Sequence, residues 1–268
     1  MSEIVSNIAI FCDFENIAIG ARDAKIQNFD ISLVIGRLLD KGSIVVKKAY
    51  ADWENFKSYR RAMHEASFEL IEIPHVSYSG KNSADIRMVV DALDLCYTKP
   101  HVDLFVICTG DSDFSPLVSK LRENNKKVIG IGVKTSTSGL LVSNCDEYIY
   151  YDDLARAKRG SSKSKNKRKA ELESSKGDKN ASEADRKQEA LELILETVEA
   201  LFRERDSNIW GSFVKQVLKR KHPNFSESFY GYRNFTDLLN DAAKRDLLEI
   251  EKDEQSGGYV ITGFGAKA

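Results

Sequence analysis

The sequence has few cysteines and no paired cysteine motif. Its four cysteines are widely spaced, with no C-x-x-C pair and no histidine at zinc-finger spacing. They are Cys12, Cys96, Cys108 and Cys145. We therefore expect them to be buried, reduced side chains that pack as small hydrophobic residues, in a reducing compartment.

Long apolar runs and a strong charge of one sign are absent as well. No stretch of about eighteen apolar residues occurs, and the N-terminus lacks the charged-then-apolar pattern of a signal peptide. The 40 basic and 41 acidic side chains give a formal net charge of −1, which excludes a uniformly basic nucleic-acid binder but allows local basic clusters. The sequence predicts a soluble, cytoplasmic protein without membrane association.

Phosphate-binding glycine loops are also missing. No G-x-G-x-x-G follows the first apolar run, and no G-x-x-x-x-G-K-[ST] occurs. No motif places a nucleophilic serine with a histidine and an aspartate. These absences argue against a nucleotide-binding Rossmann enzyme and against a phosphatase.

Short β-rich apolar runs alternate with amphipathic stretches of helical length between residues 8 and 151. This alternation predicts an α/β fold with a doubly wound parallel sheet and helices on both faces. The predicted strands span residues 8–12, 44–51, 68–73, 103–108, 127–132 and 148–150. The predicted helices span residues 31–39, 55–66, 83–96, 114–124 and 138–143.

The composition changes abruptly at Arg156. Eight Lys and Arg residues fall between Arg156 and Lys169, with no acid among them. Such a segment cannot offset the entropy of ordering, so we predict a basic disordered linker over residues 156–185, between domains at 1–155 and 186–264. The linker is either a solubilising spacer or a segment whose basic half touches phosphates.

The C-terminal part combines helical and strand patterns. Apolar stripes indicate one helix after Arg186 and a second around Phe213 and Val217, and a third is predicted over residues 232–244. Two predicted strands, at 247–251 and 259–262, flank a hairpin-turn sequence, Gln255-Ser256-Gly257-Gly258. Three helices and a hairpin predict a small winged helix-turn-helix domain.

Acidic residues follow two of the predicted strands. Asp13 comes directly after the first strand, and Asp111 and Asp113 follow the fourth. Ligands of open parallel sheets bind outside the carboxyl ends of the strands, so these acids are candidates for one site. Each also has a simpler explanation, because Asp and Ser are preferred helix N-caps and a strand-end Asp can cap a loop.

Asp85 is the third member of this predicted cluster. At about 100° per residue, Asp85 points with Ala92 and Cys96 into the apolar face of its helix, whereas Asp91 and Asp94 point to the opposite side as ordinary solvent charges. An acid turned toward a core needs a cation or hydrogen bonds to remain charged. Carboxylates that converge from different elements meet this need by sharing a hard divalent cation, for which Mg²⁺ is well suited.

Three segments resemble the NYN family of PIN-like nucleases and occur in the order of that family. They are Asp13–Asn16, Lys81–Asp85 and Thr109–Phe114, within a resemblance over about residues 7–155. The resemblance implies a PIN-like Rossmannoid fold and a ribonuclease that depends on Mg²⁺ or Mn²⁺.

The same resemblance implies roles for individual residues. The acids implied to bind the metal and act in catalysis are Asp13, Asp85 and Asp111, joined by Asp113. For Asp113 three roles remain open, which are binding the metal, holding Asp111 in place and capping the following helix. Two further residues, Asn16 and Ser112, are implied to position metal-bound water or phosphate, and Lys81 to neutralise phosphate charge in the transition state.

The C-terminal segments Trp210–Phe225 and Gly231–Leu239 resemble the OST-HTH or LOTUS domain, a family associated with RNA binding. Independently of that resemblance, basic side chains near the second and third predicted helices form a candidate phosphate footprint. They are Lys215, Lys219, Arg220, Lys221 and Arg233. Because this domain is close to neutral as a whole, a winged helix that binds a protein partner is the alternative.

These observations predict an endoribonuclease whose catalytic domain is tethered to an RNA-binding domain, which raises the local substrate concentration. A noncatalytic RNA-binding or regulatory adaptor, which retains an acidic cation-binding pocket, is the alternative from a different class. The sequence leaves the oligomeric state open.

Overall fold

The computed structural model describes residues 6–26, 29–73, 83–158, 179–204, 208–253 and 257–268, with no side chains described for 179–183. The described residues divide into two compact units, residues 6–158 and residues 179–268. The predicted phosphate-neutralising Lys81, the turn residues Gln255 and Ser256, and residues 159–178 of the predicted linker lie outside the described residues. No helix within the described ranges is long and apolar enough to cross a membrane.

The first unit is a six-stranded parallel sheet in the order β3-β2-β1-β4-β5-β6, with helices between the strands. Strands β1 to β6 span Ser6–Asp13, Gly42–Ala51, Glu69–Glu72, Leu104–Cys108, Lys127–Gly132 and Glu147–Tyr150. Helices α1 to α7 span Phe14–Asp23, Ile31–Leu39, Lys57–Glu65, Ser83–Thr98, Ser115–Glu123, Gly139–Asn144 and residues 151–158. The predicted α/β fold, with all six strands, is confirmed.

Both faces of the sheet are buried, as alternating side chains of β1 show. Ile8 and Ile10 lie in one core, which also contains Val34 of α2. Ala9 and Phe11 lie in the other core, with side chains of α4 and α5. Because successive residues of a strand point to opposite faces, the five consecutive buried residues of β1 require helices on both sides.

The strand order reverses between β1 and β4, the two central neighbours. Cys12 pairs in register with Cys108, so the residues that follow these strands lie side by side at the carboxyl edge. This reversal is the position at which open parallel sheets form their binding crevice.

Helix α1 was not predicted. Its sequence contains the β-branched Ile17 and Ile19 and an interior glycine, all weak helix formers. At Gly20 an added Cβ would lie 2.4 Å from Ser136 Oγ and 3.3 Å from Ser136 Cβ, so α1 packs closely against Ser136 at this position. Tertiary contacts and the cap provided by Asp13 therefore override the weak local propensity.

The second unit is a winged helix, as predicted. Helices α8 to α10 span Lys179–Glu204, Gly211–Lys221 and Phe235–Lys244, and strands β7 to β9 span Ile209–Trp210, Leu248–Lys252 and Tyr259–Phe264. The strands form an antiparallel sheet in the order β7-β9-β8. Helix α10 begins later than predicted because Asn234 caps it, accepting a bond from the backbone N–H of Asp237 at 2.8 Å. Helix α8 begins within the stretch predicted as linker.

The cysteines agree largely with the prediction. All four are free thiols, and Cys12, Cys96 and Cys108 are buried. Cys145 is only partly buried.

Candidate active site

Asp13 ends β1 at the centre of the carboxyl edge. Its Oδ1 accepts a bond from the backbone N–H of Asn16 at 3.3 Å, which caps α1. Its Oδ2 accepts a bond from the hydroxyl of Thr109 at 3.0 Å. Thr109 directly follows β4 and is fully buried. The two central strands are thus joined at their ends by this hydrogen bond.

Asp111 is held by the same threonine. The Thr109 hydroxyl accepts a bond from the backbone N–H of Asp111 at 3.2 Å. The Asp111 carboxylate in turn accepts from the backbone N–H of Asp113 at 3.0 Å and caps the short 3₁₀ helix Ser112–Phe114. Asp111 is thus the cap of the 3₁₀ helix, and α5 has Phe114 at its N-cap with no side-chain capping bond, so the alternative that Asp113 caps the following helix is wrong.

Asn16 joins the loops after β1 and β4. Its Oδ1 accepts a bond from the backbone N–H of Gly110 at 2.8 Å. This bond fixes the orientation of the amide and leaves its NH₂ group as the donor for a ligand. Gly110 must be glycine, because a Cβ there would lie 2.2 Å from the backbone oxygen of Ser136.

Replacing Gly110 with alanine is expected to destabilise the folded protein by about 2 kcal/mol, because the loop must move away from Ser136. The displacement would also break the bond to Asn16. Chemical denaturation measures the loss. Gly36→Ala is the matched control: Gly36 lies within α2, and no atom lies within 4 Å of the position that an added methyl group would take. This control change should stabilise the protein by about 0.5–1 kcal/mol. Equal effects of the two changes would contradict the argument.

Asp85 lies in the first turn of α4, on the side that carries the buried Ala92 and Cys96. The helical-wheel prediction for its direction is therefore confirmed. Its pKa is raised, mainly by burial and to a smaller extent by the charges of Asp111 and Asp113. Three acids from two separate elements thus lie within electrostatic reach of one another.

Asp13 belongs to the same electrostatic group. Burial raises its pKa to about 7, and the charge of Asp85 acts in the same direction, while the bonds from Asn16 and Thr109 oppose the rise. The structure therefore brings Asp13, Asp85, Asp111 and Asp113 together at one edge of the sheet.

Sequence reasoning missed two members of this site. The charge of Glu15 raises the pKa of both Asp13 and Asp85, and its carboxylate accepts from the backbone N–H of Asp52 at 2.7 Å. Thr109 is the bridge between Asp13 and Asp111. Glu15 lies in the segment that follows β1, and Thr109 lies in the segment that follows β4. Their position directly after a strand is the sequence signal that could have identified them.

The prediction that Asp91 is an ordinary solvent charge is wrong. Its side chain is only 12% exposed. Its carboxylate accepts from the Tyr50 hydroxyl at 2.8 Å, from Lys48 Nζ at 3.4 Å and from Arg87 Nε at 3.1 Å. Asp91 therefore anchors α4 to β2. Asp94 is exposed, as predicted.

Ser112 and Asp113 lie on the open side of the site. They line a depression of about 470 Å³ whose other lining residues are Ser115, Pro116, Ser119 and Leu140. Asp113 is exposed and Ser112 partly exposed. This end of the acidic cluster is thus exposed in the first unit, as far as its described residues show.

The basic residues of the winged helix differ in how freely they could contact a phosphate. Lys215 is ion-paired with Glu227 at 2.8 Å. Lys219 and Arg233 are exposed. Arg220 and Lys221 are partly exposed, in the last turn of α9. The candidate phosphate footprint is thus strongest at Lys219 and Arg233.

The acidic cluster fits a hydrated divalent cation better than a closed protein cage. Among the described residues, no three His, Cys, Asp or Glu side chains are arranged to hold a metal ion by themselves. Mg²⁺ keeps several water ligands and is commonly bound through one or two carboxylates and substrate phosphate. The raised pKa values of Asp13 and Asp85 reflect a desolvation and repulsion that a bound cation would relieve.

Known proteins similar to this chain include one archaeal protein and one bacterial protein of solved structure. An uncharacterized protein of Methanocaldococcus jannaschii is 30% identical over 122 residues, which are 46% of this chain and 47% of that protein. The chain thus spans about half the length of this curated relative. The crystal structure of a protein of unknown function from Vibrio parahaemolyticus matches with a TM-score of 0.51 and 28% identity, over 57% of this chain and 98% of the other.

Family comparison covers both units. Residues 7–152, more than half of the chain, match the NYN domain, a member of a nuclease superfamily. Residues 188–260 match the OST-HTH/LOTUS domain, a winged helix that suggests RNA binding. These matches confirm the two resemblances that the sequence motifs indicated. The chain belongs to the NYN domain family and carries a C-terminal OST-HTH/LOTUS domain.

Proposed function

We propose that this protein is a metal-dependent endoribonuclease that hydrolyses RNA at the carboxyl edge of its parallel sheet. The observation that carries the proposal is the convergence of Asp13, Asp85 and Asp111, two of which have raised pKa values because of burial and neighbouring acids. Strongly perturbed pKa values cluster at functional sites.

Asp85 and Asp111 are the proposed carboxylate ligands of Mg²⁺ or Mn²⁺, with Asp13 and Asp113 beside them. When bound, the cation would act as a Lewis acid at the phosphodiester and activate an attacking water. In the metal-free protein the Asp13 carboxylate, whose pKa is about 7, holds or releases a proton near neutral pH, and a bound cation would favour its charged form.

Neutral donors around the acids are proposed to orient the RNA backbone. The NH₂ group of Asn16 donates to a phosphate oxygen, because its Oδ1 is already bonded to Gly110. The hydroxyl of Ser112, at the edge of the open depression, is a second donor. Lys81 remains the proposed cation that neutralises phosphate charge.

The winged helix is proposed to hold the RNA near the catalytic domain. Lys219 and Arg233 contact phosphates, with help from Arg220 and Lys221, while Lys215 contributes less because it is paired with Glu227. Phosphate contacts of this kind give affinity without sequence selection. The tether raises the local concentration of substrate at the acidic site.

The proposal is tested by incubating labelled single-stranded and structured RNA with the full chain in Mg²⁺, in Mn²⁺ and in chelator. We expect internal cleavage with either metal and none in chelator. Asp85→Asn should lower the cleavage rate by about 100-fold or more, because it removes a charge from the site while keeping the size of the side chain.

Asp23→Asn is the matched control, since Asp23 is an exposed acid at the far end of α1. It should cleave at the wild-type rate. Equal cleavage by wild type and Asp85→Asn would overturn the proposed active site. RNA that is bound but stays intact with every metal would instead establish the noncatalytic adaptor.

A further inference from the structure

Helix α4 carries a row of apolar side chains on its solvent side. Ile86, Val90 and Tyr97 are 62%, 56% and 59% exposed. Leu93 lies between them and is partly buried. At 100° per residue these four residues fall within about 60° of one another. They therefore form one continuous stripe, which we call the α4 stripe.

The spacing of the α4 stripe is that of a helix-pairing seam. The intervals from Ile86 to Val90, Leu93 and Tyr97 are four, three and four residues, which is the spacing of alternating d and a positions in a coiled coil. The core-facing residues of α4, Met88, Ala92 and Cys96, lie outside this stripe. Helix α4 thus uses one face for its own domain and presents a second apolar face to solvent.

The four-three-four spacing reads the same in both directions, so the stripe is complementary to itself. An antiparallel second copy related by a twofold axis would place Ile86 against the partner copy's position 97 and Val90 against position 93. A closed dimer requires a self-complementary patch of this kind.

The charges beside the stripe have the same symmetry. Arg87 and Asp94 project from one flank of α4, about 20° apart by the same geometry, and both are exposed. In the antiparallel arrangement, the Arg87 of each copy lies nearest to position 94 of the other. Two opposite-charge pairs would therefore flank the apolar contact, and such flanking pairs set orientation in coiled coils.

We propose that the α4 stripe is a homodimer interface, in which two copies of this chain pair α4 against α4 in antiparallel orientation. The self-complementary spacing and the flanking charges favour a second copy over an unrelated partner. A single helix of 16 residues offers a small contact, so the dimer is expected to be in exchange with the monomer.

Sedimentation equilibrium of the full chain, from about 2 to about 200 μM, tests the proposal over the range expected for a small interface. Wild type should show a monomer–dimer equilibrium. Val90→Glu should weaken the dimer at least about tenfold, since it places a charge in the apolar seam, and Tyr97→Glu provides a second variant if that one does not fold. Val45→Glu, which changes an exposed valine of β2, should leave the equilibrium unchanged.

Cross-linking tests the antiparallel register. The double variant Ile86→Cys with Tyr97→Cys should form a disulfide-linked dimer on mild oxidation, whereas Ile86→Cys alone should not. A wild type that is monomeric at every concentration would overturn the proposal, as would a dimer unaffected by both glutamate variants. Efficient cross-linking of the single variant would overturn the antiparallel arrangement.

Discussion

Replacing Asp13 with asparagine is expected to reduce RNA cleavage by about 1,000-fold and, at the same time, to stabilise the metal-free protein at neutral pH. Activity falls because the carboxylate at the centre of the site is lost. Stability rises because a buried carboxylate that faces Asp85 and Glu15 is replaced by a neutral group of the same shape.

The sign of the stability change follows from the pKa of Asp13. It is about 7 in the folded protein, against an ordinary value of 3.8, so the folded state binds a proton more tightly than the unfolded state. Stability of the metal-free wild type therefore falls as pH rises from about 4 to about 7. Asp13→Asn removes this fall, and we expect it to be more stable than wild type by about 1–2 kcal/mol at pH 7.5.

Denaturation in chelator at several pH values between 4.5 and 7.5 measures this effect. Asp30→Asn is the matched control, because Asp30 also caps a helix but has a lowered pKa. Burial alone would raise the pKa of Asp30, but hydrogen bonds from Lys158 and Ser32 lower it. This variant should be less stable than wild type at pH 7.5. A loss of stability at pH 7.5 in both variants would show that Asp13 acts only as a cap.

Replacing Asp91 with alanine is expected to give the largest loss of stability, about 3 kcal/mol. The change removes the acceptor for three donors at once. The Tyr50 side chain is 1% exposed, so its hydroxyl would be left buried without this bond, and the ammonium of Lys48 would lose the nearer of its two carboxylates.

Asp94→Ala controls for the loss of an acid from the same helix. Asp94 is exposed, so the free energy of unfolding should change by no more than about 0.5 kcal/mol. Urea denaturation at low protein concentration measures both variants. Similar small losses for the two would contradict the anchoring role of Asp91.

The fold and the members of the acidic cluster could be predicted because their signals are local. The alternation of apolar runs with amphipathic helical stretches predicted the sheet. Asp13 and Asp111 were identified because each comes soon after a predicted strand. The direction of Asp85 followed from the geometry of a single helix. Each of these inferences needed no knowledge of what packs against the residue.

The parts that sequence reasoning missed depend on contacts between distant segments. A helical wheel shows that Asp91 points away from Asp85, but the Tyr50 hydroxyl that it meets comes from β2. Helix α1 packs closely at Gly20 against Ser136, which is more than a hundred positions away. Thr109 stands at the start of a strand-end motif, but its bond to Asp13 follows only from the pairing of β1 with β4.

The two capping bonds affect how related sequences are to be interpreted. Asp111 accepts the backbone N–H that starts the 3₁₀ helix, so folding alone gives a reason to keep it in a relative that has lost catalysis, whereas Asp13 caps α1 but costs stability when no metal is bound. Asp85 makes no capping bond within the described part of the chain, and burial and its acidic neighbours raise its pKa. We therefore expect that substitution of Asp85 beside an intact Asp111 marks a relative that has lost the proposed catalysis.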